Sequence, residues 1–323
     1  MSLRVIDPGP LATVQDAGRF GYQQFGVPVS GAMDGYALRA ANALVGNAPD
    51  AAGLEITIEG PTLEASDSHL IAVTGLGFDL RVHERAMPLW MAIFVRRGWE
   101  IQLFSRQRGG WCYLAIAGGI QTPPVLGSRA TYLRGGFGGI EGRTVRAGDA
   151  LPVGTPARPP LELAGRHIPE EKRPAYNERL TVEVILGPQA DRFTEEGRET
   201  FLSSEYKISL SSDRMGYRLE GPPVAHSAGA DIISDGLAAG SIQVPASGQP
   251  IVMMSDRPTT GGYPKIATVV SADLPLLAQS PPGTGRLRFR ETTVEAAQAR
   301  WRAMMNGLRA SIDELEDEDR SQL

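Results

Sequence analysis

One cysteine, Cys112, stands in 323 residues, so neither an intramolecular disulfide nor a cysteine-only metal site can form, which fits a reducing compartment. Histidine is nearly as scarce. The four present, His69, His83, His167 and His226, lie far apart with no i, i+4 pair, and no metal is expected. Cationic excess is missing too: 32 Lys and Arg against 37 Asp and Glu leave a net charge of −5, which argues against a nucleic-acid partner. No stretch approaches the roughly 18 apolar residues of a membrane span. The opening "MSLRVIDPGPLATVQDAG" lacks the apolar core of a secretory signal, so no membrane association and a cytoplasmic location are expected.

Familiar catalytic motifs are also absent. Without G-x-x-x-x-G-K-[ST] there is no P-loop to present amides and a lysine to phosphates. "GGFGG" (Gly135–Gly139) and "TGLGFD" (Thr74–Asp79) are glycine-rich, but neither opens a helix after a strand, and both read as turns or bulges. G-x-S-x-G is missing, and no Ser or Cys has a neighbouring partner that marks a nucleophile.

What the chain has is glycine and proline, 38 and 24, around short β-type runs such as "HLIAVTG", "WCYLAIAG", "TVEVILG" and "KIATVV". Helical patterns are few: Met33–Gly46, a weaker Gln189–Leu202, and Thr293–Ile312, which runs into an acidic tail, "DELEDEDR". The length exceeds what one hydrophobic core usually serves. The Pro-rich, charged stretch from Pro152 to Leu180 reads as a linker. It divides the chain into residues 1–151, a linker 152–180, a second domain 181–292, and a C-terminal helix and tail 293–323. The halves echo each other, "DAGRFGYQQFGVP" against "DRMGYRLEGPP" and "GLEITIEGPTL" against "GSIQVPASGQPI", as a duplicated β-barrel would.

Polar residues gather at strand ends and Gly-rich turns between Asp231 and Gln279. They include Asp235, Gln243, Asp256, Arg257, Thr259, Thr260, Tyr263, Lys265, Asp273 and Gln279. Gly261 and Gly262 let backbone approach a ligand, and a lysine fixed just after Pro264 suits stabilisation of a developing oxyanion. The same residues also fit surface ion pairs of Arg257 and Lys265 with Asp256 and Asp273, which contribute little. In the first half Gln15, Asp16, Arg19, Tyr22, Ser30 and Asp34 cluster with glycines. They read equally as a site or as a structured loop in which Asp34 starts a helix.

The stretches "PGPLATVQDAGRFGYQQFGVPVSGAMD", "LAIAGGIQTPPVLGSRATY", "SSDRMGYRLEG" and "DGLAAGSIQVPASGQPIVMMSDRPTTGGYPKIATV" resemble the allophanate hydrolase subunit 2 family over about residues 3–295. That family includes the C subunit of bacterial 5-oxoprolinase and the C-terminal half of the urea carboxylase carboxyltransferase region. The resemblance implies a mainly β protein of two cyclophilin-like β-barrels with few short helices. It also implies partners: a homologue of the B subunit or of subunit 1, and a lactam-utilisation-type A subunit. The complex would use ATP to open 5-oxoproline to L-glutamate. Alternatives within the family are carboxyl transfer from carboxybiotin to urea, and a non-catalytic regulator that binds the B-like partner. Biotin would have to arrive on another chain, since "VMMSD" and "RAMMNG" lack the carrier lysine. In the oxoprolinase reading Lys265, Asp256 and Tyr263 are the expected catalytic residues. The expected substrate-binding residues are Gln243, Arg257, Thr259, Thr260, Gly261, Gly262 and Asp235, joined by Gln15, Asp16, Arg19 and Tyr22.

Overall fold

The computed structural model describes residues 1–106 and 110–314. The described chain divides into two compact units, one of residues 1–19, 30–106, 110–174 and 306–314, the other of residues 20–29 and 175–305.

The first unit is built from short strands, several of them half-buried through alternation of apolar and polar residues. These are β1 (Ser2–Asp7), β2 (Leu11–Gln15), β3 (Gly53–Thr57), β4 (Thr62–Ala65), β5 (His69–Gly75), β6 (Phe78–Val82), β7 (Arg85–Met87), β8 (Ala92–Val95), β9 (Glu100–Ser105), β10 (Trp111–Ile116) and β11 (Ala150–Pro152). They form one sheet in the order β11-β1-β4-β9-β6-β7 and another in the order β2-β3-β10-β5-β8. Leu3 and Val5, Leu63, Phe78 and Leu80, and Ile101 and Leu103 point inward from the first sheet. There they share one core with Leu54, Ile56, Val73, Ile93 and Leu114 of the second. β3, β5 and β10 are buried along their whole length, and helix α1 (Gly35–Leu44) covers the outer face of β5 and β10. Thr74 Oγ1 donates to the Ala37 carbonyl at 2.7 Å, pinning that helix to β5. Asp34 caps it, its carboxylate accepting from the Ala37 N–H at 2.9 Å.

The Pro-rich stretch after β11 is packed rather than strung out. It carries a helical turn, α2 (Pro160–Leu163), with Leu163 and Ile168 buried. His167 exchanges backbone hydrogen bonds with Asp313 at 2.9 and 2.8 Å, and Lys172 pairs with the Asp313 carboxylate at 2.6 Å. Asp313 and Glu314 of the acidic tail are therefore in the described part, while 315–320 lie outside the described residues.

The second unit is built from β12 (Arg179–Leu186), α3 (Glu195–Ser203), β13 (Tyr206–Ile208), β14 (Gly216–Glu220), β15 (Asp235–Gly236), β16 (Ser241–Gln243), β17 (Ile251–Met253), β18 (Thr260–Gly261), β19 (Lys265–Val269), α4 (Leu274–Ala278) and β20 (Arg286–Glu291). Seven strands close a barrel in the order β12-β19-β16-β17-β14-β13-β20. Closure comes from the parallel pairing of β12 with β20, which sets Leu180 beside Leu287 and Val182 beside Phe289, and leaves no open edge. Phe201 of α3 stacks on Phe289 with ring centroids 4.4 Å apart, plugging the interior. The long helix α5 (Val294–Ala310) lays Ala297, Trp301 and Met304 against Val270, Ala272 and Ile185. The two-stranded ribbon of β15 and β18 is separate from the barrel sheet. The echoing segments differ in conformation: residues 213–223 contain β14, whereas residues 16–28 hold only a 3-10 turn at Gln23–Phe25. Among the described residues no helix is long and apolar enough to cross a membrane.

Candidate functional site

Lys265 opens β19, directly after the turn Gly261-Gly262-Tyr263-Pro264, and its side chain is 6% exposed. Its ammonium reaches the Asp235 carboxylate and donates to the Gly236 carbonyl at 2.9 Å. The backbone beneath it depends on a glycine. A Cβ built on Gly187, at the end of β12, would lie 2.2 Å from the Lys265 carbonyl oxygen, so only glycine lets these two segments approach. Gln189, two residues on, accepts from the Lys265 N–H at 3.2 Å and donates from its Nε2 to Asp235 at 3.4 Å. Hydrogen bonds from Lys265 and from the Gly236 N–H hold the Asp235 carboxyl below the usual carboxylate range.

The ribbon organises the rest. Asp235 lies opposite Gly261 and Gly236 opposite Thr260, the Leu237 N–H donates to the Thr259 carbonyl at 3.0 Å, and the Ile232 N–H to the Gly262 carbonyl at 2.9 Å. Gln243, buried in β16, donates to the Tyr263 carbonyl at 3.1 Å. A Cβ on Gly261 would come within 2.4 Å of that Gln243 amide. Tyr263 itself is 41% exposed. Lys265, Asp235, Gln243, Thr259, Thr260, Gly261, Gly262 and Tyr263 are thus brought together on one end of the barrel.

Asp256 and Arg257 have other duties. Both oxygens of the buried Asp256 accept from Arg214, at 2.9 and 3.0 Å. Arg257 spends its guanidinium on the backbone carbonyls of Leu237 and Met254 at 3.1 and 3.3 Å, fixing the base of the ribbon. Asp273 receives the Glu183 N–H at 2.7 Å and Arg300 at 2.5 and 3.0 Å. The surface pairs of Arg257 and Lys265 with Asp256 and Asp273 therefore do not form. Each acid is held by a different cation.

In the first unit Gln15 donates to Thr13 Oγ1 and to the Thr131 carbonyl, both at 3.1 Å. Asp16 accepts from the Gly18 N–H, Ser128 Oγ and the Arg129 N–H at 2.8, 2.7 and 2.6 Å. Arg19 is 1% exposed, reaches the Ala130 carbonyl and lies 4.8 Å over the Phe137 ring. These contacts knit the loop before α1 to the segment 128–139. Tyr22 belongs to the segment 20–29, which is part of the second unit. "TGLGFD" is the turn between β5 and β6, and Gly136–Gly139 line a cavity of about 580 Å³ with Thr122, Val125 and Ile140. Neither glycine-rich segment leads into a helix. Among the described residues no three His, Cys, Asp or Glu side chains cluster closely enough to hold a metal ion.

Gln189 and Arg214 carry no signal of these roles in the sequence. Gln189 lies 76 residues from Lys265, and Arg214 42 from Asp256, so only barrel closure brings them close. The "DRMG" echo contains Arg214 but gives it no partner.

The arrangement is that of a mainly β protein whose closed barrel presents a buried cation beside a glycine turn. A family model for the carboxyltransferase domain, subdomain A and B, matches residues 25–291, and the chain belongs to that family. It is 40% identical over 295 residues to the 5-oxoprolinase C subunit of Escherichia coli strain K12, covering 91% of this chain and 93% of that protein. It is also 32% identical to a urea amidolyase of Lachancea kluyveri, covering 98% of this chain but only 18% of that one. Among solved structures, the Kluyveromyces lactis urea amidolyase superposes with a TM-score of 0.89 at 30% identity, over 98% of this chain and 20% of that one.

Proposed function

We propose that this chain is the C subunit of an ATP-dependent 5-oxoprolinase, acting with B- and A-type subunits to hydrolyse the ring amide of 5-oxo-L-proline to L-glutamate. The observation that carries the reading is reciprocal coverage: the chain matches nearly the whole of the E. coli protein, whereas it matches less than a fifth of the urea amidolyase. The barrel end at Lys265 supports it chemically. Substrate and ring-opening product both carry negative charge on oxygen, and Lys265 supplies a desolvated cation whose position is fixed by Gly187 and Gln189. Tyr263 and the Gly261–Gly262 backbone supply hydrogen-bonding groups beside it. Arg214 and Asp256 act by holding the neighbouring loop, not by meeting substrate. ATP contributes the driving force for the complex, and with no P-loop or helix after either glycine-rich segment, no step is assigned to ATP on this chain.

The superposition with urea amidolyase favours a second reading, carboxyl transfer to a ureido substrate with biotin brought by another chain. Reconstitution separates the two. With the B and A partners, ATP and 5-oxoproline, glutamate release is expected only when this chain is included. Release that is unchanged without it, or ATP-dependent carboxylation of urea when a biotin carrier is supplied instead, would contradict the oxoprolinase reading.

A further inference from the structure

Asp235 is an unusual partner for Lys265. The lysine side chain is 6% exposed and the aspartate 52%, so the cation is built into the barrel while the anion reaches it from outside. The acceptor is well gripped all the same. Oδ2 meets the Lys265 ammonium and Gln189 Nε2 at 3.4 Å, and Oδ1 accepts from the Gly236 N–H at 2.8 Å. Lys265 opens β19 and Gln189 lies just beyond β12, next to a glycine contact that admits no Cβ. Asp235 instead rides on β15, a two-residue strand paired in a two-stranded ribbon with the equally short β18. There is room beside it: a Cβ on Gly236 meets nothing within 4 Å, and one on Gly262 nothing nearer than 3.7 Å.

A rigid cation and amide that hold an exposed carboxylate on a slight ribbon have the geometry of an anion subsite already filled. We infer that Lys265 and Gln189 form a subsite for the carboxylate of a small molecule, and that Asp235 is its internal occupant, displaced when ligand binds. This rests on the reading that the barrel end binds 5-oxoproline, and it says which oxygen Lys265 takes: that of the free carboxylate. The lactam amide is then left to the Gly261–Gly262 turn and Tyr263. An internal occupant lowers apparent affinity by the fraction of time it fills the subsite, so removing it strengthens binding without adding a contact.

The test is calorimetric titration of the full chain with acetate, 5-oxoproline and neutral 2-pyrrolidinone. Asp235→Ala is expected to bind both carboxylates at least about tenfold more tightly than the unaltered chain, with no gain for 2-pyrrolidinone. The gain is expected to vanish in Asp235→Ala combined with Lys265→Met, or with Lys265→Gln if the methionine variant does not fold. A gain for acetate without one for 5-oxoproline keeps the subsite and removes the oxoproline reading. Equal carboxylate affinity with and without Asp235, an equal gain for 2-pyrrolidinone, or a gain that survives loss of the lysine charge overturns the inference.

Discussion

Replacing Asp256 by alanine tests whether that acid is a fastening or a chemical group. Its two oxygens both meet Arg214, at 2.9 and 3.0 Å, and the two side chains are 8% and 10% exposed. The pair also aligns backbone: the Asp256 N–H donates to the Arg214 carbonyl and the Met254 N–H to that of Met215, at 2.8 and 3.0 Å. Removing the carboxylate leaves a desolvated guanidinium without that charge, a loss of about 3–5 kcal/mol when one partner of a buried pair is deleted. For a unit of this size that is about 10–20 °C in Tm. Replacing both partners, Arg214→Met with Asp256→Leu, is expected to recover most of the loss, because two well-packed apolar side chains need no compensating charge. Thermal unfolding followed by circular dichroism measures this, with turnover per folded molecule of the reconstituted complex alongside. If Asp256→Ala unfolds at the original temperature yet loses turnover, the structural assignment fails and Asp256 belongs to the chemistry.

Gly187→Ala is expected to lower stability by about 1–3 kcal/mol, because its Cβ would fall 2.2 Å from the Lys265 carbonyl oxygen and force backbone to shift. An unchanged denaturant midpoint would show that the contact relaxes freely. His69 gives a pH prediction. Burial pulls its imidazole below the ordinary value, outweighing the hydrogen bond to the Ser2 carbonyl. The folded chain therefore prefers neutral His69. That stability is full above the unfolded pKa of about 6.5 and is lost as pH falls from there through the lower folded value. Denaturant midpoints measured from about pH 7.5 to 5.5 are expected to decline, and His69→Gln to flatten the decline. An identical slope in the variant would assign it to other groups.

Much of the fold is legible because burial writes itself into strand periodicity. "LRVI", "HLIAVTG" and "WCYLAIAG" form β1, β5 and β10, and the unbroken apolar character of the last two reflects a sheet covered on both faces. Of the two readings left open for Asp34, the helix start has a visible basis, because capping is local. Long-range topology does not read. Parallel closure of β12 on β20, or the return of residues 306–314 to the first unit, depends on pairings no local pattern encodes. The stretch 152–180 looks like a linker because proline and charge suppress periodicity, yet Leu163 and Ile168 within it are buried. At the candidate site Lys265 and its glycine turn are visible from punctuation alone. Their true partners are not: Lys265 takes Asp235, Asp256 takes Arg214 and Asp273 takes Arg300, a choice among nearby acids that only three-dimensional packing makes.

If the barrel end at Lys265 binds the substrate of a 5-oxoprolinase complex, the most direct test is Lys265→Ala in that reconstituted complex. Fold and assembly are checked first by circular dichroism and size-exclusion chromatography. Loss of a charge-assisted hydrogen bond of about 1.5–3 kcal/mol predicts that kcat/KM for 5-oxoproline falls at least about tenfold. An assembled complex carrying Lys265→Ala and turning over 5-oxoproline with unaltered kcat/KM would contradict it.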